Sequence, residues 1–206
     1  RVGRQLAALW VEEDSETLLG SFDTAERVLE KSATGLPLGF DAVQRRQWSL
    51  LSVLASRQSW FRDGDLYDFF DALVDDGLFD QFDRVVFTGI GPMCGYGALA
   101  FSVVAPGARC LAVNPVASLD RDAAPFETRF RSAWSLDFQG RYGFAPAMVA
   151  GADAVTLIYD PANVMCAAHA AMFQESNVAR YKLRWGGMGV GAILSVGDTF
   201  LNLLNA

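Results

Sequence analysis

The sequence is poor in histidine, cysteine and positive charge. It holds one histidine, His169, and three cysteines, Cys94, Cys110 and Cys166. An odd number of widely separated thiols has neither the paired spacing of a zinc site nor that of a disulfide framework, so no metal is expected. A reducing, cytoplasmic setting fits such thiols best. Lys and Arg total 17 against 24 Asp and Glu, a net charge of -7. Nucleic acid and anionic membranes call for clustered cations, so both are disfavoured as partners. No run approaches the roughly 18 apolar residues of a membrane span. The start at Arg1 lacks a charged-then-apolar leader layout, and a chain opening without Met is compatible with trimming. Repeats, low-complexity tracts and Pro/Gly linkers are also missing, which makes one domain over residues 1–206 the expectation.

What is present suits a packed globule: 51% hydrophobic and 20% charged residues, enough to bury one substantial core. Leu6 to Val11 and Leu18 to Phe22 are short apolar runs expected to open the fold as strands, with an amphipathic stretch from Asp23 to Lys31 following. Leu66, Phe69, Phe70, Leu73 and Val74 lie at helical spacing, with Asp65 near the start and Gly77 at the end. The β-branched run Arg84 to Ile90 then leads through a glycine-rich turn, Gly91 to Gly97, into a helix over Ala98 to Val104. Arg109 to Asn114 and Ala154 to Tyr159 resemble strands buried on both faces. Ala179, Tyr181, Leu183 and Trp185 alternate with charged residues, the period of a half-exposed edge strand. A last helix is expected from about Val190. Strands alternating with helices predict an α/β fold, a mostly parallel sheet with helices on both faces. Sites in such sheets lie beyond the C-terminal strand ends, which singles out the turn after Ile90, Asp160, and the loop after Trp185.

The segment Val85 to Leu99 resembles the nucleophile elbow of α/β-hydrolases, in which glycines flank a nucleophile on a strained strand-to-helix turn. The resemblance covers roughly Arg84 to Ala206 and implies a three-layer sandwich with an insertion at about 118–150, where that family carries a lid. Centred on Met93, the spacing Gly91-x-Met93-x-Gly95 fits, yet a thioether has no proton to lose and cannot become an anionic nucleophile. Cys94 is the nearby nucleophilic candidate, although centring the turn on it puts Pro92 and Tyr96 where glycines belong. The family's chain order of nucleophile, acid, histidine would give Asp160 the acid's place. The plainer reading of Asp160 is an Asp-Pro turn capping the helix from Asn163 to Phe173. After the last expected strand the sequence runs Gly186-Gly187-Met188-Gly189, with no histidine. His169 lies instead in the preceding helix, either as a helix-surface or partly packed ring or, in an unusual arrangement, as the base for Cys94. An oxyanion loop of the His-Gly type has no counterpart at Gly20-Ser21-Phe22-Asp23-Thr24.

Two further constellations carry chemistry. Arg121, Arg129, Arg131 and Arg141 interleave with Phe126, Phe130, Trp134, Phe138 and Tyr142 in the insertion, a pattern that can clamp an anion or stack on a planar ligand, or can simply form a solvated cap. An anion is expected beside Gly91, Met93 and Gly95, on the first amides of the helix, with Arg129 or Arg131 closing over it. The Asp-rich stretch Asp63 to Asp80 lacks calcium-loop spacing and reads as a solvated face. Gly91-Pro92-Met93-Cys94-Gly95 is not a dinucleotide fingerprint, so no cofactor is expected. These features together predict a degenerate hydrolase-like protein that binds a small ligand or a protein partner, or else an ester or acyl hydrolase built on Cys94, His169 and Asp160.

Overall fold

A computed structural model describes residues 2, 5–32, 34–184 and 199–205. Seven strands form one sheet among the described residues: β1 (Leu6–Val11), β2 (Thr17–Thr24), β3 (Ser49–Ala55), β4 (Arg84–Ile90), β5 (Arg109–Val113), β6 (Ala154–Tyr159) and β7 (Val178–Lys182), in the spatial order β1-β3-β2-β4-β5-β6-β7. β1 runs antiparallel to β3 and every other pairing is parallel. The helices are α1 (Phe40–Arg46), α2 (Gly64–Asp75), α3 (Pro92–Ala100), α4 (Ala145–Met148), α5 (Val164–Ala171) and α6 (Thr199–Asn205).

Both faces of the sheet are covered, and the strands show it residue by residue. Leu18 and Phe22 of β2, Val85 and Phe87 of β4, and Val155 and Leu157 of β6 enter one core layer, which also takes Leu66 and Phe70 of α2 and most of α3. The intervening Leu19, Val86, Leu111 and Ile158 enter a second layer with Ala42 and Val43 of α1 and Leu204 of α6. This period-two split between two buried faces is why the central strands read as unbroken apolar runs. The result is a three-layer α/β sandwich.

Several boundaries differ from the sequence expectation. The strand β3 and helix α1 are not among the elements expected from sequence, although Leu50, Leu51, Val53, Leu54 and Ala55 form an apolar run like those of β1 and β2. The polar Ser52 of β3 is buried because its hydroxyl accepts a hydrogen bond from Ser21 of β2, at 2.9 Å. The stretch after Asp23 forms one π-type turn, Arg27–Lys31. α3 begins at Pro92, six residues earlier than the helix expected from Ala98, because Pro fits a first helical turn. The insertion is largely irregular, with a short 3-10 turn at Arg131–Ala133. Trp185, Gly186 to Gly189 and the helix start at Val190 lie outside the described residues.

Chain order reverses between β2 and β4, which are neighbours while β3 lies outside β2. Such a switch point leaves a crevice beyond the strand ends. Asp23 near the end of β2 and Gly91 just beyond β4 flank it.

Candidate functional site

The sharp turn of the strand-turn-helix unit is at Gly91, which has φ 93° and ψ 174° and caps α3. This backbone conformation is one that only glycine adopts without strain. It makes Gly91, rather than Met93, the apex of the elbow, so the register centred on Met93 is corrected by two residues. A β-carbon added at Gly91 would meet nothing within 4 Å, so the apex has room for a side chain and carries none. Two residues earlier, Gly89 is packed so tightly that a β-carbon would lie 2.0 Å from the Cys94 carbonyl oxygen. Gly95 faces Pro115, where the same addition would come within 2.9 Å. These glycines serve the close approach of helix to strand.

Met93 is buried on the first turn of α3, and its sulfur accepts a hydrogen bond from the Trp60 amide at 3.3 Å. Trp60, in the loop after β3, is 1% exposed and packs edge-on against Phe130 and Phe138 of the insertion, at ring separations of 4.9 and 6.3 Å. Tyr96 of α3 donates to the Tyr142 carbonyl oxygen at 2.6 Å, and Arg62 donates to the Tyr96 hydroxyl at 3.2 Å and to the Asp137 carbonyl oxygen at 2.7 Å. Aromatic side chains and these bonds hold the insertion down on α3.

Cys94 is buried beside charge of the wrong sign. Burial pushes its thiol up, the Asp23 carboxylate pushes it further, and Arg27 offsets this only in part. A thiol held protonated in this way is a poor nucleophile. Asp23 itself is 1% exposed and pairs with Arg27. Its carboxylate also accepts from the Thr24 and Leu38 amides, at 2.7 and 2.8 Å. The Thr24 amide at the end of β2 and the Leu38 amide before α1 are therefore already occupied by a carboxylate of the chain itself.

Asp160 follows β6 directly and is buried. Its Oδ1 accepts from the Ala162 amide at 2.9 Å, and its own amide donates to Asn114 Oδ1 at 3.2 Å. The Asp-Pro turn expected from sequence is thus present, but it does not cap α5 as expected: the cap is Asn163, whose side chain accepts from the Met165 and Cys166 amides.

His169 is not on the surface of α5: it is fully buried, at 0% exposure. Its Nδ1 accepts from the Ala117 amide at 3.2 Å, which places the ring proton on Nε2, 2.9 Å from Glu127 Oε2. Burial lowers the pKa of the ring, with Glu127 opposing. Burial would raise Glu127, but hydrogen bonds and charge from Arg129, together with His169, bring it below the ordinary carboxylate value. Arg129 forks onto both Glu127 oxygens, with Nε at 3.1 and 3.0 Å, and its NH1 lies 4.0 Å from Cys166 Sγ. Arg131 lies over Trp134, 5.6 Å from the ring centroid. The structure therefore joins His169 to Glu127 and Arg129, while Cys94 is surrounded by the charges of Asp23 and Arg27. Neither Asp23 nor Glu127 was singled out in the sequence. Asp23 sits in a plain polar strand end, and Glu127 is 42 positions from its histidine partner.

No family model and no curated protein matches the chain. Solved structures do match. A capsule O-acetyltransferase of Neisseria meningitidis serogroup A aligns over 98% of this chain and 92% of its own, with a TM-score of 0.60 and 12% identity. An α/β-hydrolase enzyme from the metagenome of lagoon sediments at Mar Chica, Morocco, aligns over 100% and 95%, with a TM-score of 0.56 and 13% identity. The fold is that of the α/β-hydrolases. A glycosylation-associated protein complex (Gap123) from Streptococcus agalactiae contains a chain matched over 94% of this one at a TM-score of 0.56 and 14% identity; this chain spans 45% of that one. The likeness extends through the first 83 residues as well, beyond the part legible from the elbow and later strands. At these identities it establishes the fold and not the reaction.

Proposed function

We propose that this protein is a catalytically degenerate α/β-hydrolase-fold protein that acts by binding a small ligand or a protein partner. The observation that carries this reading is the bare apex at Gly91, a turn of the nucleophile-bearing kind with space for a side chain and none supplied. The Thr24 amide at the end of β2, occupied by Asp23, supports it, because acyl transfer needs free donors where an oxyanion develops. So does His169, whose two nitrogens are committed to Ala117 and Glu127 and offer no lone pair to a thiol. Arg129 and Arg131, expected to close over an anion at the turn, are engaged by Glu127 and Trp134 instead, which directs attention to the insertion as the ligand-bearing part. Buried free thiols suit a reducing cytoplasm. Among the described residues no helix is long and apolar enough to cross a membrane.

The test is turnover of activated esters, such as p-nitrophenyl acetate, by the wild type, Cys94→Ala and Gly91→Ser. All three are expected to stay at the rate of an unrelated folded protein, since a serine at the apex gains a hydroxyl but no free base. Saturable wild-type turnover abolished by Cys94→Ala would overturn the non-catalytic reading in favour of hydrolysis at Cys94.

A further inference from the structure

The two edges of the sheet are finished differently. At β1, Val2 pairs with Leu6 on the outer side, and Trp10 packs edge-on against Phe82. At β7, the other edge, Ala179, Arg180, Tyr181 and Lys182 are all exposed, so neither face of the strand is buried. The direction of its backbone groups follows from two hydrogen bonds. The Asn177 carbonyl oxygen accepts from the Val155 amide at 2.9 Å, and the Leu183 amide donates to the Tyr159 carbonyl oxygen at 2.8 Å. A parallel ladder engages alternate residues of a strand, so Ala179 and Tyr181 between them also turn towards β6. Arg180 and Lys182 therefore turn their amides and carbonyls outward, as an open template for another strand.

The side chains give this edge a sign. Arg180 and Lys182 lie on one face of the sheet, and Arg184 follows two positions on. Among the described residues none of the three makes an ion pair or a side-chain hydrogen bond. No Asp or Glu stands between Glu175 and Asp198 to offset them, in a chain whose net charge is -7. Charge on an edge strand ordinarily keeps sheets from joining. Here the exclusion is selective. Two copies of β7 laid antiparallel would oppose cation to cation, whereas a strand with carboxylates at alternate positions meets opposite charge at each. On the other face Tyr181, 59% exposed, offers apolar contact to the intervening side chains.

We propose that the β7 edge docks an extended acidic segment of a protein partner, one alternating Asp or Glu with apolar residues, which joins the sheet as a further strand. This rests on the protein-partner form of the reading given above and names the partner's chemistry. The probe is the peptide acetyl-Glu-Val-Glu-Ile-Glu-Val-amide, titrated into isotope-labelled protein while amide shifts and hydrogen exchange are followed. Saturable shifts are expected along β7, with slowed exchange at the Arg180 and Lys182 amides, which a purely electrostatic contact would leave unprotected. A peptide with Pro in place of Ile, or with Lys in place of every Glu, is expected not to bind. Arg180→Glu with Lys182→Glu should weaken the acidic peptide by at least about tenfold. If that pair disturbs the amide spectrum away from β7, Arg180→Gln with Lys182→Gln takes its place with a smaller loss expected. No binding at millimolar peptide, equal binding of the Pro or Lys peptide, unprotected Arg180 and Lys182 amides, or undiminished affinity in a folded variant overturns the proposal. An equal response to a DNA oligonucleotide also overturns it, by making the edge a general polyanion site. So does concentration-dependent self-association removed by the charge reversal, which would make a second copy the occupant through its Glu12, Glu13 and Asp14. Ester turnover with peptide binding intact overturns only the non-catalytic reading, and absent binding without turnover overturns only the docking edge.

Discussion

Gly89→Ala is expected to destabilise the protein by about 3 kcal/mol or more, enough to leave a protein of ordinary stability marginally folded. The reason is the identity of the atom in the way. A β-carbon at Gly89 would lie 2.0 Å from the Cys94 carbonyl oxygen and 2.4 Å from its carbon, both backbone atoms of α3 that cannot rotate aside. Relief requires α3 to move off β4, and α3 is buried over almost its whole length between the sheet, α2 and the insertion. Gly64→Ala provides the contrast. Gly64 opens α2, an added β-carbon there meets nothing within 4 Å, and the change should be neutral or stabilising by roughly 0.4 to 1 kcal/mol through the unfolded chain. Urea midpoints of the two variants beside wild type make the comparison. A Gly89→Ala protein as stable as Gly64→Ala would show that the elbow is loosely packed and that Gly89 is not there for close approach.

The same turn shows how far sequence carries and where it stops. The β-branched run of β4, the cluster of glycines and the short apolar runs of β5 and β6 are local signals, and each corresponds to an element of the sheet. β7 is placed at the edge as its alternation suggests, but the half-buried face expected from that alternation is not found, since Ala179 and Tyr181 are exposed along with Arg180 and Lys182. β3 carries the same kind of local signal in Leu50, Leu51, Val53 and Leu54, and its place beside β2, with Ser52 accepting from Ser21, is the part that no local pattern supplies. The glycine spacing around the elbow admits more than one register, and only the positive φ at Gly91 distinguishes them. His169 stands in an alanine-rich helix that gives no local hint of a partner. Its burial depends on Ala117, just before the insertion, and Glu127 within it, 52 and 42 positions away.

Glu127→Ala is expected to cost about 1 to 3 kcal/mol, the range for leaving a buried donor without its acceptor. Glu127 is 2% exposed and accepts from both His169 and Arg129, so its loss strands a buried N–H and a partly buried guanidinium together. The same cluster sets a dependence on pH. His169 binds its proton less readily in the folded protein than at its ordinary value of 6.5, so on acidification the unfolded chain takes up a proton that the folded one refuses. Stability from this residue is therefore complete above about pH 6.5 and is lost as pH falls towards the lower folded value, with a slope of at most about 1.4 kcal/mol per pH unit. Glu127, also below its ordinary 4.5, adds a second loss only at more acidic pH. Because the chain has one histidine, the slope between pH 7 and 5 can be assigned by comparing wild type with His169→Gln in urea titrations at each pH. The variant should be less stable at pH 7 and nearly flat down to pH 5. A wild type that is flat over that window, or a variant that keeps the wild-type slope, would mean that the ring is not held neutral between Ala117 and Glu127.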